Sequence, residues 1–169
     1  MSTRLWYPQL DIYDAIRRMA CLVSRWEHRP PSTERLYILD FYFASPSLLH
    51  RVSMPQNVRT AFLKLGVIHP DQSFLSYPSA PILFKKMEAI QKDAIRTLAG
   101  KDLIDLERLE KGEVVASRSG TIVFSERFSG MMTQSERPVL EFLIKQFAMI
   151  GLDDIRDLRS RTGLRRLIG

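Results

Sequence analysis

The chain has 169 residues, 45% of them hydrophobic and 26% charged, enough for one domain or one domain with a helical extension. Gly and Pro number 8 and 9, about one residue in ten, too few for a fibrous or disordered chain. A formal net charge of +6 suits a negatively charged neighbour, either nucleic acid or an acidic protein face.

No run approaches the roughly 20 consecutive apolar residues of a membrane span. The opening Met1-Ser-Thr-Arg-Leu-Trp-Tyr-Pro8 lacks the apolar run that follows the basic start of a secretion signal. A single cysteine, Cys21, allows no internal disulfide and suits a reducing compartment. The expectation is a cytoplasmic protein with no membrane contact.

From Leu10 to Glu27 the apolar positions Ile12, Ile16, Met19, Leu22, Val23 and Trp26 recur at helical spacing, with Arg17, Arg18 and Arg25 off the stripe. Pro30-Pro31 ends that helix. Ser32 or Thr33 caps the next, whose dense apolar content through Ala44 predicts the central core helix. A third helix starts near Pro55 and stops at Gly66. Residues 67–79 have no period and read as a long loop. The longest helix is expected from Pro81 to Leu98, with Ile82, Met87, Ile90, Ala94, Ile95 and Leu98 on its buried face and Gly100 as terminator.

Beyond Gly100 the period changes. Residues 102–105 read as a short strand, and residues 113–118 and 121–125 as two more joined by a Ser119-Gly120 hairpin turn. Helix returns over 134–150, and a short last helix over 153–161 leads into an Arg-rich tail. Three helices and then a hairpin is the order of a winged-helix domain, placed at residues 33–128. The expected fold is therefore mainly α with a small β-hairpin. A winged-helix-like core is flanked by an N-terminal helical segment (1–30) and C-terminal helices (133–169) within a single domain.

The histidines, His28, His50 and His69, share no helical turn, and no CxxC or HxxxH pattern is present, so no metal site is expected. Cys21 sits mid-helix, where a thiol is ordinarily small core filler and not a nucleophile. Neither GxxxxGK[ST] nor GxGxxG occurs, and no cofactor is expected. Asp153, Asp154 and Asp157 suit a helix first turn better than a carboxylate site. Lys85, Lys86, Lys92 and Arg96 are the candidate DNA contacts, set against the plainer reading of a solvated face laced by Glu88 and Lys92. The wing's Val114, Val115, Ile122 and Phe124 read as core or as an edge offered to another chain, and Met131-Met132 as adaptable apolar surface that is more often core filler than an interface.

Several stretches resemble a known family. Thr33-Glu-Arg-Leu-Tyr-Ile-Leu-Asp-Phe-Tyr42, followed by Pro46, is similar to an RLRILDFY…P stretch of the middle components of bacterial ABC-three-component systems. Leu83-Phe-Lys-Lys-Met-Glu-Ala-Ile-Gln91, running on to Leu98-Ala-Gly-Lys-Asp-Leu-Ile-Asp105, resembles that family's LFxRMxxIQ…LxxKGLID. Leu158-Arg-Ser-Arg-Thr-Gly-Leu164 resembles its LKxRTGL, and Tyr7-Pro-Gln-Leu-Asp-Ile-Tyr13 loosely resembles an NPxxDPYH opening, with Asp14 where that pattern has His. The matched Arg35, Asp40, Met87, Gln91, Arg161 and Thr162 tie the chain to the family, although Arg35 and Asp40 equally suit surface ion pairs.

The resemblance implies a non-catalytic adaptor between an SMC-like ABC ATPase and an effector, often a nuclease, in Lamassu-type defence against phage and plasmids. DNA would be met through the complex. The expected partner-binding residues are Trp6 and Tyr7 before the first helix and Arg156, Arg159, Arg161, Arg165 and Arg166 in the tail. The alternative is a free-standing winged-helix transcriptional regulator that binds DNA itself.

Overall fold

A computed structural model describes residues 7–72, 78–128, 130 and 132–166. Nine α-helices carry the described residues: α1 (Ile12–Ser24), α2 (Thr33–Ala44), α3 (Gln56–Leu63), α4 (Ala80–Lys86), α5 (Glu88–Gly100), α6 (Leu106–Glu110), α7 (Arg118–Val123), α8 (Glu136–Lys145) and α9 (Ile155–Thr162). Short 3-10 turns lie at Pro8–Leu10, Pro46–Arg51, Pro70–Gln72 and Phe147–Met149. No described helix is long and apolar enough to cross a membrane.

The organising element is α2. Ser32 caps it by accepting a hydrogen bond from Arg35 N at 3.2 Å. Every residue from Glu34 to Phe43 is then buried, so α2 is encased on all sides and has almost no amphipathic asymmetry. α1 and α8 pack on it, and α1 also runs along α5. Aromatic edges lock the shell: Phe41 meets Phe84 of α4 at 5.7 Å between ring centroids, and Tyr42 meets Phe147 at 5.5 Å. Leu36, Leu39 and Phe43 of the expected core helix are buried, as are Met87, Ala94, Ile95 and Leu98 of the expected buried face, and Ile90 packs against them half-buried. Ile82 departs from its expected buried position and is 54% exposed.

The expected long helix is two. α4 and α5 meet at Met87, yet Met87 N still bonds Leu83 O at 3.1 Å and Gln91 N bonds Met87 O at 2.9 Å. The break is thus a kink inside a continuing ladder, with the Met87 side chain fully buried beneath it.

The expected hairpin is absent, and with it the wing of a winged-helix domain. No strand occurs among the described residues, only two isolated bridges, Ser32 with Glu113 and Ile104 with Ala116. Residues 112–117 are laid between two other extended pieces: Val114 N bonds Pro31 O at 2.9 Å, while Ser117 N bonds Leu103 O at 3.1 Å. The apolar content of 113–116 therefore reflects pairing with residues distant in sequence. The expected strand over residues 121–125 lies instead in α7 and the π-helical turn at Phe124–Phe128 that follows it.

Ser117 starts α7 as its N-cap, accepting from Gly120 N at 2.8 Å. Gly120, expected at a turn, is needed for another reason. A Cβ there would stand 1.9 Å from the carbonyl oxygen of Leu103, so only glycine lets α7 lie against that backbone. G120A should lower stability by about 3 kcal/mol, because backbone, not a flexible side chain, must move. Thermal unfolding of G120A beside S119A, at the exposed neighbour, measures this. The expected result is a lower midpoint for G120A alone.

Candidate functional site

The most distinctive chemistry lies inside the helical shell, on the polar side chains of α2. Asp40 has no exposed surface, and a carboxylate in such a place must be fully paired. Arg18, on α1 and 1% exposed, donates from Nε to Asp40 Oδ1 at 2.7 Å and from Nη2 to Oδ2 at 3.2 Å. Gln91 of α5 donates from Nε2 to the same Oδ2 at 2.9 Å and to Tyr37 O at 3.0 Å. Arg18 also reaches Asp14, one turn earlier, at 2.6 Å. Burial acts to lower the Arg18 pKa, but the Asp40 and Asp14 charges outweigh it and hold the guanidinium above its ordinary value.

A second polar group follows one and a half turns earlier on α2. Glu34 receives Arg159 of α9 through a two-pronged contact, Nε to Oε1 at 2.8 Å and Nη2 to Oε2 at 2.5 Å. The backbone N of Arg166 donates to Glu34 Oε1 at 3.0 Å. The Arg166 side chain, 4% exposed, passes over the Phe84 ring at 3.9 Å and the Tyr37 ring at 5.4 Å, and its Nη2 donates to Gln91 Oε1. Gln91 thus joins the two groups through opposite ends of one amide. Arg35 points elsewhere, donating to the carbonyls of Ala148 (3.2 Å), Ile150 (2.9 Å) and Gly151, which fixes the turn after α8.

Arg35 and Asp40 are therefore interior residues, in place of the surface ion-pair partners that sequence equally allowed. Arg18, expected off the apolar stripe of α1, is a core residue too. Its spacing from Ala15 and Leu22, three before and four after, carried that signal. Glu34, Tyr37 and Phe84 were not singled out by the sequence, and Glu88 was read only as the partner of Lys92, since nothing in a lone carboxylate or aromatic announces an arginine neighbour.

The expected partner-binding arginines divide. Arg166 is buried, and Arg159 is committed to Glu34. Arg161 pairs with Asp157 at 3.0 Å and donates to Ser53 O at 3.2 Å, while Ser53 N bonds Arg161 O at 3.1 Å. Arg156 is exposed and pairs with Asp154 at 3.1 Å, and Arg165 is exposed. Tyr7 is half-buried, and Trp6 lies outside the described residues. Of the candidate DNA contacts, Lys85, Lys86 and Arg96 are exposed and have no ion pair among the described residues, whereas Lys92 holds Glu88 at 2.9 Å. The kink at Met87 separates the first pair from the second. Met131 lies outside the described residues, and Met132 is buried.

The chemistry elsewhere is sparse. Burial pushes the Cys21 thiol up to about 11, which leaves it protonated near neutral pH and a poor nucleophile. No group of three or more His, Cys, Asp or Glu among the described residues is placed to hold a metal. A groove of about 660 Å³ runs between α3 and α8, with Ala61, Leu65 and Phe142 on its floor and Arg137, Glu141 and Lys145 on its rim.

Two outcomes are expected. Removing the Asp40 carboxylate in D40A leaves Arg18 buried without its main partner and should lower stability by about 3–5 kcal/mol, whereas D40A/R18M should recover much of it. Denaturant midpoints of both variants decide this. Burial raises the Glu34 pKa, but the hydrogen bonds from Arg159 and the Arg166 backbone outweigh it, so the carboxyl lies below its ordinary 4.5. A depressed carboxyl stabilises the fold fully above its unfolded value and loses that contribution as pH falls through its folded value. E34Q should therefore cost stability at pH 7 and show a flatter stability profile than wild type below pH 4.5.

Three of the four stretches that carry the family resemblance meet here: α2, the α4–α5 pair, and α9 with the residues after it. A family model described as ABC-three component (ABC-3C) system Middle Component 5 matches residues 4–167. No curated protein and no solved structure matches the chain. With the match running over nearly its whole length, the chain belongs to the ABC-three component system Middle Component 5 family.

Proposed function

We propose that this middle component is a non-catalytic, cytoplasmic adaptor that links an SMC-like ABC ATPase to an effector, a nuclease, in a Lamassu-like defence complex against phage and plasmids. The observation that carries this reading is where the family-matched polar residues go. Arg35, Asp40 and Gln91 are spent on internal hydrogen bonds that hold helices together, not gathered in a cleft around a vacant centre. Side chains used this way define a rigid shape, which is what a subunit read by other proteins requires. Membership of a three-component system supports partner proteins as the readers.

The residues assigned to the ATPase contact are Trp6, Tyr7, Arg156, Arg161 and Arg165, while Arg159 and Arg166 are held by Glu34 and Gln91. Affinity purification of the tagged chain from its native host, with mass spectrometry of what co-elutes, tests the adaptor. Recovery of a large coiled-coil ATPase and a second protein is the expected outcome, and a chain that elutes alone overturns it. Charge reversal in R156E/R165E should reduce ATPase recovery several-fold without altering the circular dichroism, and unchanged recovery removes that surface from the assignment.

A second reading, a DNA-binding regulator, is favoured by one observation: Lys85, Lys86 and Arg96 are exposed cations without a carboxylate partner among the described residues. It predicts duplex binding by the isolated chain that weakens with salt by about 0.9 log unit per log unit for each phosphate neutralised. Under that reading K85E/R96E abolishes binding. An adaptor that meets DNA through its complex binds duplex weakly or not at all when alone.

A further inference from the structure

The pocket that receives Arg166 is built like a recognition site for an arginine side chain. Phe84 lies beneath the guanidinium at 3.9 Å and Tyr37 lies beside it at 5.4 Å. Gln91 accepts from one end, Glu88 stands 3.5 Å from Nη1, and Glu34 takes the backbone N at 3.0 Å. Two aromatic faces, an amide oxygen and two carboxylates are the groups that recognise a flat, delocalised cation on an extended peptide. They come from α2, α4 and α5, whereas the arginine comes from residues 163–166, which form no helix or strand.

The fit is also incomplete. Arg166 Nε is buried with no hydrogen-bond partner among the described residues. Both carboxylates are shared, Glu34 with Arg159 at 2.5 Å and Glu88 with Lys92 at 2.9 Å. Burial accordingly draws the Arg166 pKa below its ordinary value, against the pull of Glu88. Gly163, at φ +71°, ends α9 and turns the chain toward the pocket, so the strap hangs from one left-handed residue. Its other anchor is the fully buried Leu164.

We propose that the Phe84–Tyr37–Gln91 pocket, flanked by Glu34 and Glu88, is an arginine-peptide binding site that residues 163–166 occupy in cis, and that an arginine on an extended segment of another chain exchanges with Arg166. This holds whether or not the adaptor reading does, because it concerns only what the pocket binds. The strap competes at the high effective concentration of a tethered ligand, so the pocket answers only to a partner that brings its own arginine at high local concentration.

Two measurements on the full-length chain test it. In wild type, native-state hydrogen exchange should show the amides of Leu164 and Arg166 opening at least 100-fold faster than those of Ile38 to Phe41, although both are hydrogen-bonded. Equal protection would mean that the strap opens only with the whole fold, and the exchange idea fails. The second measurement is anisotropy of a fluorescein-labelled peptide of residues 160–166. The peptide should bind full-length R166A at least tenfold more tightly than wild type, and replacing its last arginine by citrulline should remove that gain. A folded R166A that does not take the peptide, or takes the citrulline form equally well, overturns the proposal. R166K, which keeps the charge but not the flat fork, should fall between R166A and wild type, and it serves if R166A does not fold.

Discussion

The structure turns on one carboxylate with no access to water. Asp40 lies mid-way along a helix that is buried on every side, and three N–H donors converge on its two oxygens, two from Arg18 and one from Gln91. A buried ion pair of this kind contributes little net stability over a well-packed apolar equivalent, since desolvation offsets most of the attraction. Its effect lies in register. The oxygens are satisfied only when α1 presents Arg18 and α5 presents Gln91 at one height on α2. A slide by one turn in either helix leaves a buried charge alone, an arrangement far less stable than the native one.

Gln91 passes that constraint on. Its amide nitrogen is bound to Asp40 and the Tyr37 carbonyl, so its oxygen can face only one way, and that way is toward Arg166. The position of the strap after α9 is thus set by a residue whose orientation is fixed in the core. Glu34 repeats the logic at the N-terminal turn of α2, where it gathers Arg159 and the Arg166 backbone. Three segments far apart in sequence are thereby joined through side chains instead of a sheet. Among the described residues the backbone contributes two isolated bridges and single bonds such as Ser53 N to Arg161 O at 3.1 Å to such long-range pairing.

The parts of this design that depend on apolar periodicity were legible in the sequence. α1, α2 and α3 fall close to where spacing, Pro30-Pro31 and Ser32 placed them, and α2 was recognisable as the core helix by its unbroken apolar and aromatic content. Residues 113–128 were not. Val114-Val115 and Ile122-Val123-Phe124 around a Ser-Gly pair have the look of a hairpin, and only the Ser117 cap and the close approach of Gly120 to Leu103 distinguish a helix there. The first pair is extended, but its backbone partners are Pro31 and Asp105 rather than its neighbour in sequence. At the arginine-rich end the five arginines in eleven residues read as partner-binding, and no pattern in one sequence reveals that Glu34, more than a hundred residues earlier, draws two of them inward.

That inward turn bears on how polar motifs can specify a small fold from within. Arg35 fixes the turn after α8, Arg161 ties α9 to Ser53, and the Thr162 hydroxyl donates to Leu158 O at 2.7 Å and accepts from Leu164 N at 3.1 Å. Each of these side chains sets the path of backbone whose own sequence is undemanding. The outward-facing positions on α4, α5 and α9 are then free to vary in charge without disturbing the frame. Under the proposed adaptor role, recognition by partners and integrity of the fold would be carried by different residues, and only in the Arg166 pocket would the two meet. There one guanidinium closes the fold and at the same time displays the chemistry that a competing arginine would use.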